Sequence, residues 1–212
     1  MTAIWGPLGW MTLHSISTSY PIQPTSSEKQ LMYSWLDMFR DTITCPYCKG
    51  HFTTMLGNYR VRFPNMLDSR QNFAMFAFRA HNTVNARLSK PVYATLNECM
   101  AILKKNIENR SAEDYRISYI NHILRYWKTI QDITGIVAVK KVLEMKKIEI
   151  DYISRLDTKF DVELVNESVV IPRSWVENNV EESTPRQLPI LRFNSPTPKA
   201  GIQIKGGRIR LF

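Results

Sequence analysis

Two cysteines two residues apart, Cys45 and Cys48, stand in the stretch Thr44-Cys45-Pro46-Tyr47-Cys48-Lys49-Gly50-His51-Phe52. Such a pair can close a small disulfide, and the residues after it read as helix. That places Cys45 at or just before a helix N-terminus, where unpaired N–H groups and the helix dipole favour a thiolate. Lys49 is the nearest fixed positive charge along the chain and acts in the same direction. A dithiol so placed suits thiol–disulfide exchange. Cys-x-x-Cys is also half of many zinc sites, and a zinc reading would add His51 with Cys99 or His81 to the ligand set. On these residues alone, redox and metal chemistry stand level.

A second polar group sits in an otherwise apolar helical run, His81-Asn82-x-x-Asn85. His81 and Asn85 share a helical face with Asn82 beside them, and buried polar side chains need partners. Trp10 and His14 are likewise four apart on one face of a first helix. Taken singly, each of these groups reads as packing.

The elements that must position them are helical. A first helix runs from about Ile4 to Tyr20, with Pro7 in its first turn, where no amide hydrogen is missed. Thr25-x-x-Glu28 forms a capping box ahead of Leu31, Trp35, Met38 and Phe39. The helix behind the dithiol is expected to end near Leu56-Gly57-Asn58, and Asp68-x-x-Gln71 to cap the next, which Lys90-Pro91 stops. Thr95-x-x-Glu98 and Ser111-x-x-Asp114 start two more, and Gly135 is read as breaking the second run. Val139, Val142, Leu143, Ile148 and Ile150 predict a last helix, and residues 160–172 allow a short strand pair. The fold class is therefore mainly all-α.

Composition sets outer bounds. The chain has 212 residues and a formal charge of +9, of which six come from Arg186, Arg192, Lys199, Lys205, Arg208 and Arg210. The body is thus only mildly basic, and the proline-punctuated tail carries the charge. That tail reads as a solvated extension first, and second as a contact for an acidic partner, nucleic acid or a membrane surface. Three cysteines are too few for a disulfide scaffold. No run approaches a membrane span and no presequence is visible, so a cytoplasmic location is the expectation.

The three stretches come in a telling order. Trp5-Gly6-x-x-x-Trp10-x-x-Leu13-His14 precedes Cys45-Pro46-Tyr47-Cys48 with His51-Phe52, and His81-Asn82-x-Val84-Asn85-x-x-Leu88-x-Lys90-Pro91 follows. This pattern, over about Ile4 to Tyr93, resembles the FAD-linked sulfhydryl oxidases of the Erv/ALR family, found in eukaryotes and large DNA viruses. The resemblance implies a four-helix bundle plus a short fifth helix holding FAD, and a homodimer. It implies that Gly6, Trp10 and His14 line the flavin pocket with Cys48. His81, Asn82, Val84, Asn85, Leu88 and Lys90 would hold the adenine, ribose and phosphate portions, with Tyr93 near the adenine.

The implied chemistry is two-electron thiol oxidation. A substrate thiolate attacks Cys45, a second substrate thiol resolves the mixed disulfide, and Cys48 delivers the electrons to the flavin. The flavin passes them to oxygen, giving hydrogen peroxide, or in some relatives to cytochrome c. The implied partner is a dithiol protein or a thioredoxin-like relay, because this chain lacks the distal shuttle dithiol of many members. Cys99 stands alone where members carry a further structural pair, and Ser89 stands where Gly is common.

On this reading residues 1–100 form the oxidase domain, 101–180 an additional mostly helical region, and 181–212 the basic tail. Such an addition suits a viral member, which would work in a virus factory or virion. The alternative is a zinc module built on Cys45, Cys48 and His51 with a nucleic-acid-binding tail.

Overall fold

The computed structural model describes residues 2–159, with side chains from residue 5 onward. Seven α-helices occupy this span: α1 (Thr2–Ser19), α2 (Ser26–Asp41), α3 (Pro46–Arg62), α4 (Arg70–Arg87), α5 (Leu96–Ile107), α6 (Ala112–Trp127) and α7 (Ile133–Asp151). A short 3₁₀ turn, Ile153–Arg155, follows. No strand occurs among the described residues, so the chain is all-α there. The expected strand pair and the basic tail lie outside them.

Local sequence sets most of the helix starts. Thr25 and Glu28 form the reciprocal box, with the Thr25 N–H donating to Glu28 Oε2 at 2.7 Å. Thr95 and Ser111 accept the N–H groups of Glu98 and Asp114 as their spacing predicts. Three expectations shift. The dithiol helix runs on to Arg62, because Gly57 meets open space and Tyr59 beyond it is buried in the core. Ser69, not Asp68, caps α4 by accepting the Asn72 N–H, while Asp68 pairs with Lys29 at 2.7 Å. Gly135 breaks nothing and lies in the first turn of α7, whose cap Asp132 accepts its N–H. It is glycine because a Cβ there would stand 1.9 Å from the Ile130 carbonyl oxygen.

α1 is central. It packs against α4 on one side and α6 on another; α6 packs on α7, α7 on α2, and α2 on α3. The exit of α1 is therefore polar yet dry. Ser15, Ser17, Thr18 and Ser19 are buried, and each hydroxyl donates to a carbonyl three or four residues back, at 2.9 Å in each case. Short side chains let two helices approach α1 closely.

One continuous core spans α1 to α4 together with α6 and α7, centred on Trp35, Phe39, Phe52, Phe73, Phe76 and Tyr119. Phe39 contacts both Phe52 of α3 and Tyr119 of α6, with ring centres 5.5 and 5.3 Å apart. A buried ion pair adds direction: Arg116 Nε donates to Glu149 Oε1 at 2.9 Å, and Nη1 reaches Ser15 Oγ at 3.5 Å. The helices after residue 101 thus share the core of the first four.

The stop of α4 stores strain. Ser89 has φ of 53°, the left-handed region that L side chains enter at a cost of roughly 1–2 kcal/mol. Glycine carries no such penalty at this position after the helix cap. We expect Ser89→Gly to raise the unfolding free energy by about 0.5–1 kcal/mol in a denaturant titration, the lost strain being offset by glycine entropy. We expect Gly135→Ala to lower it by about 1–3 kcal/mol, because the Ile130 carbonyl blocks the added methyl.

Candidate flavin and dithiol site

α1 and α4 meet at two imidazoles. His14 is wholly buried, and its Nε2 lies 3.0 Å from His81 Nδ1, one of the pair donating. Trp10, one turn earlier on α1, stacks on His81 with centres 4.4 Å apart and planes 10° from parallel. Tyr93 closes the other edge, its ring perpendicular to His81 at 6.0 Å. Tyr93 is held there by Asn82, whose amide donates to the Tyr93 carbonyl at 2.9 Å and accepts its N–H at 3.1 Å.

Burial governs the charge state of this wall. It holds the His14 imidazole well below its ordinary range, and the neighbouring His81 adds to the effect. His81 is lowered to about 4 by burial, with the Lys90 charge contributing. Both rings are therefore neutral at pH 7. Each neutral ring has one donor and one acceptor nitrogen, and His14 Nδ1 is buried without a partner. Trp5 Nε1, further up α1, is also buried and unpartnered.

The dithiol sits where its spacing predicts. Cys45 is the N-cap of α3 with Pro46 in the first turn, and Cys45 Sγ accepts the Cys48 N–H at 3.2 Å. Both thiols are half-buried, and Cys48 packs against the rim of the main core. Burial, then the Cys45 sulfur, push the Cys48 thiol up to about 11, while the Arg87 charge opposes them. Lys49 is held by the end of α2. Its Nζ donates to the Asp41 carbonyl at 2.9 Å, and the cation beside Cys48 is Arg87 of α4.

The structure thus gathers Trp10, His14, His81 and Tyr93, and sets Asn82 behind them. Val84 and Asn85 give their carbonyls to the helix end, Asn85 O accepting the Lys90 N–H at 2.9 Å. Leu88 and Lys90 are exposed just past that end, and Gly6 faces open space on the first turns of α1. Cys99 of α5, which the sequence offers only as an alternative zinc ligand, lies with His14 and His81: one ligand atom from each falls within 4.8 Å of the others. Burial pushes its thiol up to about 12. Among the described residues this is the one cluster of three or more metal-competent groups, and it excludes Cys45, Cys48 and His51. The zinc set expected as the alternative is therefore not assembled.

The sequence profile of the Erv1 / Alr family matches residues 8–110. A putative FAD-linked sulfhydryl oxidase, 347L, of invertebrate iridescent virus 6 is 34% identical over 92 residues, covering 42% of this chain and 83% of that protein. This chain belongs to the Erv1/Alr family. The probable FAD-linked sulfhydryl oxidase R368 of Acanthamoeba polyphaga mimivirus is 27% identical over 116 residues, 55% of this chain and 80% of its own length. The crystal structure of the yeast Erv1 core is 32% identical over 42% of this chain and 73% of that one, with a TM-score of 0.38. No helix among the described residues is long and apolar enough to cross a membrane.

The depressed imidazoles make the fold acid-sensitive with a defined sign. Between about 4 and 6.5 the unfolded chain binds protons that His81 in the fold does not, so stability rises with pH there. We expect full stability above about 6.5 and a falling melting temperature as pH drops toward about 4. Circular dichroism melts across that window check it, and His81→Gln should flatten the slope.

Proposed function

We propose that this chain is a FAD-linked thiol oxidase that forms disulfides in a dithiol protein through Cys45 and Cys48 and uses dioxygen as acceptor. The observation that carries the reading is a half-buried dithiol at a helix N-terminus, beside the end of the helix whose His81 joins Trp10 and His14. Family membership supports the same activity.

The residues present fit the cofactor. A flat aromatic and imidazole surface, kept neutral by burial, suits contact with a ring system. The orphaned His14 Nδ1 and Trp5 Nε1 are polar atoms in want of partners. Gly6 leaves space beside α1, and the Lys90 charge suits phosphate. In this reading Gly6, Trp10, His14 and Cys48 line the flavin end. His81, Asn82, Val84, Asn85, Leu88, Lys90 and Tyr93 hold the rest, Asn82 acting through the Tyr93 backbone. The chemistry FAD supplies when bound is acceptance of two electrons from the dithiol and their transfer to dioxygen, giving hydrogen peroxide.

The chain's own part is thiol–disulfide exchange. A substrate thiolate attacks Cys45 Sγ of the Cys45–Cys48 disulfide. A new S–S bond forms, and Cys48 leaves with the electron pair. The second substrate thiolate attacks the substrate sulfur of that mixed disulfide and expels Cys45. Substrate has then lost two electrons and the dithiol holds them. Cys45 takes the outer role because Cys48 is the one packed on the core rim.

Residues 1–100 carry this activity, α6 and α7 of the additional 101–180 region brace it, and the 181–212 tail is left for an acidic partner. The active form in this reading is a homodimer, fed by a dithiol protein or a thioredoxin-like relay.

The test is flavin absorbance together with dithiol-dependent oxygen uptake by the purified chain. We expect a yellow protein. Cys45→Ser and Cys48→Ser should each lower turnover more than about a hundredfold, as loss of a nucleophile acting in a unit does, with flavin retained. A chain that stays colourless with added FAD, or serine variants that keep turning over, would exclude the reading.

A further inference from the structure

The first turn of α3 meets the last turn of α4 at Arg87. Its Cζ stands 5.2 Å from the centre of the Tyr47 ring, so the guanidinium is clamped over a residue that separates the two cysteines. Its charge acts on the Cys48 sulfur. Two of its nitrogens, Nε and Nη1, are closed off from solvent and hydrogen-bond to nothing among the described residues. A guanidinium stays charged under all ordinary conditions, and an unsatisfied buried donor is costly. With both thiols reduced and uncharged, the arrangement lacks an anion.

The neighbouring charges, of either sign, are engaged or exposed elsewhere. Lys49 is turned away to the Asp41 carbonyl, and Lys90 is exposed beyond the helix end. Asp41 itself pairs with Arg40 and Lys141. The sulfur that most needs a counter-charge is Cys48, set against the apolar core rim with Cys45 as its neighbour.

We propose that Arg87 is the counter-ion of the Cys48 thiolate, its unpartnered Nε–H and Nη1–H turning to Sγ once that sulfur carries the charge. This rests on the oxidase reading and adds a residue to it. When the substrate thiolate bonds to Cys45, the S–S bond breaks and the electron pair stays on Cys48 Sγ. Arg87 holds that charge in place without a proton being taken up. The Tyr47 ring fixes the plane of the fork, which a lysine ammonium cannot reproduce. Arg87 is a positioning residue acting through Cys48.

The experiment measures alkylation of Cys48 by iodoacetamide at neutral pH, resolved by peptide, in the full purified chain carrying Cys45→Ser. The rate follows the thiolate fraction, and losing an opposite charge within about 4–6 Å shifts an ionisable group by about one pH unit or more. Arg87→Gln is expected to slow Cys48 at least about tenfold, with Arg87→Lys recovering part. Tyr47→Leu changes an exposed side chain, frees the guanidinium without touching the core, and is expected to slow Cys48 by a smaller factor. It keeps the proposal testable if Arg87→Gln does not fold.

Equal rates with and without Arg87 would overturn the proposal. So would loss of FAD in Arg87→Gln at an unchanged alkylation rate, which would give the guanidinium to the cofactor's phosphates instead. Failure of the oxidase reading shows separately. The unsubstituted chain would then bind no FAD and consume no thiol, while the Cys48 rates remain readable.

Discussion

The hydrogen bond between His14 and His81 is possible because α1 has no wet face at that point. With α4 on one side and α6 on the other, a buried imidazole can be satisfied only from a neighbouring helix. The pair fixes α1 against α4, and it is lost once both rings are protonated, when neither nitrogen can accept. Trp10 stacks on His81 because the pair sets that ring's plane, and Tyr93 closes on the same ring because Asn82 pins its backbone. The wall proposed to receive a flavin is thus a consequence of burying α1.

The dithiol is tied to that wall from two directions. Aromatic contacts carry it from the core, through Phe39 and Phe76 to Phe52 on the second turn of α3. The later helices hold the approach to it. Trp127 Nε1 donates to the Thr42 carbonyl at 2.9 Å, Lys141 pairs with Asp41, and Lys49 reaches the Asp41 carbonyl. The connection from α2 into the Cys-x-x-Cys turn is therefore clamped by α6 and α7, which lie wholly beyond the family match at residues 8–110. In this chain the added helices brace the segment that presents Cys45.

Much of this was legible in residue order, for physical reasons. Caps are local: Thr25, Thr95 and Ser111 act within one turn, and the dithiol helix begins at Cys45 because Pro46 and a short polar group leave little choice. Where outcomes turn on contacts distant in sequence, the reading drifted. Gly57 lies inside a helix that Tyr59 anchors in the core, and Gly135 answers to the Ile130 carbonyl. Lys49 stands next to Cys48 in sequence yet points elsewhere, and the cation near that sulfur comes from 39 residues further on. A lone arginine in the last turn of a helix has no motif to announce it. Nor did spacing foretell that Cys99 would come to rest beside the two histidines.

The central claim is that Cys48, rather than Cys45, is the sulfur that faces the bound flavin. A thiolate against an oxidised flavin gives a long-wavelength charge-transfer absorbance, and one remaining cysteine at a time reveals which sulfur is in place. Titrated upward in pH with FAD bound, the Cys45→Ser chain is predicted to develop that band and the Cys48→Ser chain to show none. A band in Cys48→Ser, or in neither variant with FAD still bound, would contradict the account.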